Sequence, residues 1–165
     1  MSSERVYVSL LGRSAWALLN TYYAVAREVR YFPDRVYIAV EAPYQNQTDH
    51  VVEGLHAISA HFGFSPEVEC IPVARGDMID VYLKVYNLIT AKRKEGCRVA
   101  IDITPGRKST VSGVLLPIKL NDVDHVFYLE ISTTDGVAKP YQMIPKQYHK
   151  LHDFKAEAVR AGNGG

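Results

Sequence analysis

The chain has 165 residues, with 19 basic and 18 acidic side chains and a formal net charge of +1. This length suits one domain with its own hydrophobic core, and a hydrophobic content of 47% is ordinary for a globular protein. The near-zero net charge argues against a broad surface for duplex nucleic acid. Any anion site must therefore come from a local cluster of cations.

The composition also argues against several other classes of protein. No run of about 18 apolar residues occurs, so no membrane span is expected. The N-terminal residues lead into a strand-like run without an apolar leader, and we expect a cytoplasmic protein. Cys70 and Cys97 form neither a CxxC pair nor a zinc-binding spacing, so we expect buried, reduced thiols and neither a metal nor a cofactor.

Short β-rich runs alternate along the chain with segments of helical periodicity, as in βαβ units with a mostly parallel sheet. The predicted strands are residues 5–11, 35–40, 67–73, 98–103 and 125–131. The predicted helices are residues 15–30, 47–62, 77–95 and a segment that begins near Gly106 and that Pro117 should kink or end. Thr48 or Asp49 could cap the second helix, and Gly63 fits its C-terminal end.

The C-terminal part of the chain follows a different pattern. Residues 141–144 could pair as an antiparallel edge strand. We expect one domain over residues 1–150 and a tail or the start of a linker over residues 151–165.

Five strands alternating with four helices predict an α/β fold, with an open, mostly parallel, Rossmann-like sheet and helices on both faces. In the strand order 3-2-1-4-5, ligands bind at the carboxyl ends of strands 1 and 4, where the order reverses. The loops that follow these strands are the two most polar, glycine-marked turns of this type in the sequence. They contribute the candidate ligand-binding residues Gly12, Arg13, Ser14, Thr104, Pro105, Gly106, Arg107, Lys108 and Ser109.

Both loops open helices, whose N-termini offer free N–H groups and a positive dipole end to anions. Lys108 adds a charge, and Arg107 can form paired hydrogen bonds to phosphate. The alternative is that Ser14 and Thr104 only cap helices while both cations are solvated. The GxGxxG, GxxxxGK[ST] and GxSxG motifs are absent, which argues against dinucleotide, phosphate-loop and hydrolase sites.

The segments VSLLGRSAW and DITPGRKST, in this order and context, resemble the CARF (CRISPR-associated Rossmann fold) domain family over residues 4–150. The family motif has the form D-x-T-G-G-x-K, which Asp102, Thr104, Gly106 and Lys108 match. Pro105 replaces its first glycine, so one backbone N–H is lost.

This resemblance implies a homodimer that binds a cyclic oligoadenylate, most often cyclic tetra-adenylate, across its two-fold axis. That ligand is the second messenger of type III CRISPR antiviral defence. An isologous dimer presents each loop twice, which suits a symmetric ring of phosphates. Four further candidate ligand contacts lie outside the two loops: Trp16 could stack on a base or lie in the core, Glu41 could contact adenine, and Arg75 and Asp77 lie on the same rim.

The resemblance leaves three functions open. The chain is a sensor domain, standalone or cut from a longer effector; a ring nuclease; or a regulatory subunit with a vestigial pocket. A metal-independent ring nuclease would use the ligand's own 2′-hydroxyl as nucleophile, with Ser14 and Lys108 as the residues in catalytic positions. The loop residues would serve binding and cleavage alike, so the sequence does not separate the first two functions.

Overall fold

The computed structural model describes residues 3–136 and 138–163, and in this part of the chain six strands form one sheet. Their order is β3-β2-β1-β4-β5-β6. The first five are parallel, as predicted, and β6 runs antiparallel to β5. The strands are β1 (Arg5–Leu11), β2 (Arg35–Glu41), β3 (Glu67–Val73), β4 (Arg98–Asp102), β5 (His125–Ile131) and β6 (His149–Asp153).

Helices occupy the four predicted positions, with different ends, and a further helix lies in the segment predicted as a tail. They are α1 (Ala15–Ala24), α2 (Thr48–His61), α3 (Met78–Val81), α4 (Asn87–Lys94), α5 (Lys108–Leu115) and α6 (Phe154–Gly162). A π-helical turn (Val25–Val29) extends α1, and a second one (Tyr82–Tyr86) joins α3 to α4.

The two ends of α2 differ in how they match the prediction: the C-terminal stop is as predicted and the N-terminal cap is not. Neither Thr48 nor Asp49 caps α2, because both residues lie inside the helix and Gln47 precedes it without a side-chain cap. Gly63 follows α2 with a φ of +81°, a left-handed conformation that favours glycine and confirms the predicted stop.

Two apolar layers cover the sheet. Successive side chains of β1 alternate between them, since strand residues point to opposite faces. Val6, Val8 and Leu10 pack against the α3–α5 side, and Tyr7 and Leu11 pack against the α1–α2 side. Helices on both faces force every strand in the middle of the sheet to be apolar, which explains why the strand pattern was readable from the sequence.

The C-terminal segment differs from the prediction. Residues 141–144 are not a strand: Tyr141–Met143 is a 3-10 turn flanked by Pro140 and Pro145, and Tyr141 is buried with its hydroxyl bonded to Glu28. The antiparallel edge strand is β6, whose Leu151 lies opposite Leu129 of β5. Residues 151–162 thus contain the end of β6 and all of α6.

A small ionic network ties β5, β6 and α6 together. Nε2 of His152 lies 2.9 Å from Glu130 Oε2, and its Nδ1 lies 2.9 Å from Glu157 Oε1. These two carboxylates raise the pKa of His152. Over the described ranges, none of the helices is both long and apolar enough to span a membrane.

Candidate functional site

A cavity of about 550 Å³ opens at the carboxyl edge of the sheet, between the loops that follow β1 and β4. These strands are neighbours, and the strand order reverses between them, so the cavity lies where open α/β sheets bind ligands. Its lining residues are Arg13, Ser14, Ala17, Thr104, Pro105, Gly106, Arg107, Lys108 and Ser109. The structure therefore brings together eight of the residues proposed from the two loops.

Glycines allow the two loops to approach each other this closely. A Cβ atom on Gly12 would lie 2.0 Å from the carbonyl oxygen of Pro105, closer than any real contact. A Cβ on Gly106 would lie 2.5 Å from a Leu10 methyl and 2.7 Å from a Val111 methyl. Gly12 is buried behind the lining, so its part in the site is to make room for the opposite loop.

Two helix N-termini meet at the cavity. Ser14 caps α1, and its hydroxyl accepts a hydrogen bond from the N–H of Ala17 at 3.3 Å. The cap residue of α5 is Arg107, which forms no side-chain cap, so the N–H groups of the first turn stay available at Lys108 and Ser109. A short helix with an uncapped N-terminus and a lysine at its first position favours an anion.

Arg107 is held from behind by a buried acid. The carboxylate of Glu41, only 2% exposed, accepts a 2.8 Å hydrogen bond from the Thr110 hydroxyl through Oε1. Its Oε2 lies 3.3 Å from Nη1 of Arg107. The proposed adenine contact from Glu41 is not supported by its position, because the carboxylate lies beneath the loop and does not line the cavity.

A second buried acid, Asp102, supports the start of the β4 loop. Its Oδ1 accepts a hydrogen bond from the Thr104 N–H at 2.9 Å, and its Oδ2 accepts one from the Ser9 hydroxyl at 3.0 Å. Burial raises the pKa of Asp102 to about 7. The Thr104 hydroxyl, predicted as a ligand donor, accepts a hydrogen bond from the N–H of Leu129 at 2.9 Å.

Sequence reasoning used Asp102 only as a residue of the family motif and included neither Asp102 nor Ser9 among the site residues. Ser9 and Asp102 were nevertheless visible as isolated polar residues within apolar strand runs, and both are fully buried. A polar side chain in such a position needs a hydrogen-bond partner, and here the two residues are partners of each other.

The other predicted contacts lie away from this cavity. Trp16 lines a separate cavity of about 360 Å³ between α1 and α2 and packs partly against the core. Arg75 and Asp77 are exposed in the turn before α3. The carboxylate of Asp77 caps that helix by accepting hydrogen bonds from the N–H groups of Ile79 and Asp80 at 2.9 and 3.1 Å.

The lining carries three cations, Arg13, Arg107 and Lys108, and no described acidic or histidine side chain. Such a surface can bind and orient a phosphate group. Its described side chains include no carboxylate or imidazole that could act as a general base.

Among the described residues, Glu4, Glu95 and Cys97 bring three possible metal-ligand atoms within 4.8 Å of one another. They lie at the opposite edge of the sheet. There Glu4 pairs with Arg35 at 2.7 Å and Glu95 pairs with Lys92 at 2.7 Å, so both carboxylates already have cationic partners. The two cysteines are free thiols; Cys97 is buried and Cys70 is half-buried.

No family model matches the chain, and no curated protein matches it significantly. Solved structures share the fold. Csm6 from Enterococcus italicus bound to cyclic hexa-2′-fluoro-hexa-dAMP superimposes with a TM-score of 0.62 and 16% identity, over 98% of this chain and 46% of that one. A type III CRISPR defence DNA nuclease activated by cyclic oligoadenylate superimposes with a TM-score of 0.55 and 15% identity, over 80% of this chain and 19% of that one. The chain thus spans less than half the length of either protein and shares with them a Rossmann-like α/β fold.

Proposed function

We propose that the chain binds a cyclic oligoadenylate and is a sensor domain of type III CRISPR defence. One observation carries the proposal: Arg13, Arg107 and Lys108 line one open cavity at two helix N-termini, where the strand order reverses. The two structural neighbours support it, since one is activated by cyclic oligoadenylate and the other is bound to a cyclic hexanucleotide analogue. Both are longer chains, which is consistent with a fused effector domain.

The proposed ligand is cyclic tetra-adenylate, bound by two copies of the chain. An apolar surface on α3, the turn that follows it and α5 supports the dimer: Met78, Ile79, Leu83 and Leu116 are 39%, 63%, 49% and 76% exposed. We propose that a second copy covers this surface. The helix α5 links this surface to the cavity, since it begins at Lys108 in the cavity lining and ends beside Leu116. We propose that a two-fold axis at this surface brings the two phosphate sites to one side of the dimer.

Titration calorimetry with cyclic tetra-adenylate and cyclic hexa-adenylate tests the proposal. We expect micromolar or tighter binding, weakened by roughly 1–3 kcal/mol in Lys108→Ala, which loses one charged hydrogen bond. Lys94→Ala is the matched control, since Lys94 is an exposed lysine at the end of α4, and it should bind as the native chain does. Light scattering checks the dimer, which Leu116→Asp should weaken. Absence of binding to both rings at micromolar concentrations would refute the proposal.

The second candidate function is ring cleavage, and the observation in its favour is that Ser14 and Lys108 line the same cavity. In this reaction the ligand's 2′-hydroxyl loses its proton to water and attacks the adjacent phosphorus. The bond to the 5′-oxygen breaks, that oxygen takes up a proton from water, and the opened chain ends in a 2′,3′-cyclic phosphate and a 5′-hydroxyl. Lys108 would stabilise the charge that develops on the phosphorane, and Ser14 would orient the ribose. Because the lining has no carboxylate or imidazole in the described residues, we expect slow turnover.

Single-turnover incubation with labelled cyclic tetra-adenylate distinguishes binding from cleavage, with Lys108→Ala as the control. Ring opening that Lys108→Ala abolishes would establish the nuclease, whereas intact ligand after long incubation would leave a binding module. A third alternative, a regulatory subunit with a vestigial pocket, would bind neither ring. The open volume of the cavity weighs against that alternative.

A further inference from the structure

The buried acid Glu41 lies beneath the cavity and contacts Arg107, one of the cations that line it. Glu41 ends β2, Arg107 precedes α5, and Thr110 lies in the first turn of α5. The Glu41 carboxylate therefore joins the end of β2 to the loop residue Arg107 and to Thr110 in α5. Since it is 2% exposed and lies outside the cavity lining, it cannot itself contact a ligand there.

We propose that Glu41 is a positioning residue of the anion site, which fixes the Arg107 guanidinium from behind so that its remaining donors serve the ligand. This inference rests on the proposed function for the identity of the ligand. It assigns to Glu41 a role that acts through Arg107 and not through a contact with adenine.

The geometry separates positioning from competition with the ligand. A carboxylate that sequestered Arg107 would take the guanidinium in a two-pronged pair, with distances near 2.7–2.9 Å. In the described structure Glu41 contacts only Nη1, at 3.3 Å, and its shorter bond goes to Thr110 at 2.8 Å. Arginine has five N–H donors, so most of them remain free, and 35% of the Arg107 side chain is exposed at the cavity.

Burial explains why this contact would be maintained. A carboxylate removed from water needs a partner charge or hydrogen bonds. Glu41 has the charge of Arg107 on one oxygen and the hydrogen bond from Thr110 on the other. An arginine on a loop would otherwise sample many rotamers, and ordering it at binding would cost affinity. Glu41, at the end of β2, therefore limits the conformations of the Arg107 side chain on its loop.

A double-mutant cycle tests the inference. In Glu41→Gln the side chain keeps its shape and an oxygen that can accept the Thr110 hydrogen bond, but it loses the charge that holds Arg107. We expect cyclic tetra-adenylate to bind about tenfold more weakly to Glu41→Gln, as for the loss of one charge-assisted interaction. In an Arg107→Ala background, Glu41→Gln should have no further effect. An equal loss in both backgrounds, no loss, or tighter binding would each overturn the inference.

Two readouts separate this inference from the proposed function. The first is the binding of tripolyphosphate, a ligand without adenine, by the native chain, Glu41→Gln, Arg107→Ala and the double variant. The second is the NMR signal of the Arg107 Nε–H group. In the ligand-free native chain this signal should be distinct, as for an ordered side chain, and in Glu41→Gln it should coincide with the signals of the exposed arginines. If the native chain binds neither adenylate ring, the function fails, and the NMR signal still decides the role of Glu41. An Arg107 signal that is the same in both proteins would refute that role.

Discussion

Asp102 offers the sharpest physical test of the loop architecture. It is fully buried at the end of β4, beneath the proposed phosphate site, and burial raises its pKa from an ordinary value of 3.8 to about 7. Between these two pH values the folded chain retains a proton that the unfolded chain has released. Stability therefore falls as pH rises through this window, and the full cost is present above about pH 7.

The magnitude follows from the pKa change, because each tenfold change in an acid constant corresponds to about 1.4 kcal/mol. A pKa raised from 3.8 to about 7 corresponds to a loss of about 4 kcal/mol in the free energy of unfolding, complete near neutral pH. Asp102→Asn removes this dependence, since the amide does not ionise. Its oxygen can accept from the Thr104 N–H, and its NH₂ group can donate to the Ser9 hydroxyl.

The substitution has a further expected benefit. The hydroxyl of Tyr7 is buried and has no hydrogen-bond partner in the described part of the chain. Burial and the nearby Asp102 carboxyl raise the pKa of Tyr7. Asp102→Asn removes the buried negative charge beside this hydroxyl. We therefore expect Asp102→Asn to be more stable than the native chain above neutral pH.

Urea unfolding at about pH 5 and about pH 8 measures this effect. The native chain should lose stability between the two values by a few kcal/mol more than Asp102→Asn does. Asp135→Asn is the control, since Asp135 is exposed in a turn, and it should follow the native chain. Equal pH dependence in the native chain and Asp102→Asn would show that this carboxyl does not titrate in the window and would refute the reasoning.

Two further predictions concern packing and charge. Gly12→Ala places a Cβ 2.0 Å from the Pro105 carbonyl oxygen, so thermal unfolding should show a loss of roughly 1–3 kcal/mol, while Gly162→Ala, with open space around it, should change little. For His152, its pKa is raised in the folded state by the two glutamates, so its contribution is full below about pH 6.5 and is lost as pH rises through the folded-state pKa. His152→Gln should therefore lower the melting temperature at about pH 5.5 and have little effect at about pH 9; an equal effect at both values would contradict this.

The central sheet could be predicted because burial on both faces leaves a strong signal in the sequence. β1, β2 and β4 are nearly continuous apolar runs, and the intervening helices carry apolar stripes of helical period. Parallel order and right-handed connections then placed the loops after β1 and β4 at one edge. The cavity at that edge follows from the topology, with no need for side-chain detail.

The edge strand could not be predicted in the same way. β6 lies at the margin of the sheet, and its residues HKLHD are half-buried or exposed, with Leu151 as the one aliphatic side chain. The more apolar segment 141–144 looked like a better strand. It lies between two prolines, and its buried Tyr141 packs against Tyr23 with ring centroids 5.2 Å apart. The apolar character of this segment thus reflects packing against α1 and not pairing in the sheet.

The partners of the polar site residues were also beyond sequence reasoning. Arg107 and Glu41 are 66 positions apart, and Ser9 and Asp102 are 93 positions apart. Patterns of period 2 or 3.6 assign a residue to a face of the sheet, but they do not say which polar group it meets across that face. Thr104 illustrates this, since it belongs to the predicted site by position while its hydroxyl is bonded to β5.

These contacts bear on whether the site could cleave a bound ring. By pKa alone Asp102, at about 7, resembles a general base tuned to neutral pH. A general base must come within hydrogen-bond reach of the proton that it removes, and Asp102 is fully buried with its oxygens bonded to Thr104 and Ser9. Glu41 is similarly enclosed by Thr110 and Arg107. Both acids therefore act on the shape and charge of the loop, and any cleavage in this cavity would depend on how well the loop aligns the 2′-hydroxyl of the ligand with its own phosphate.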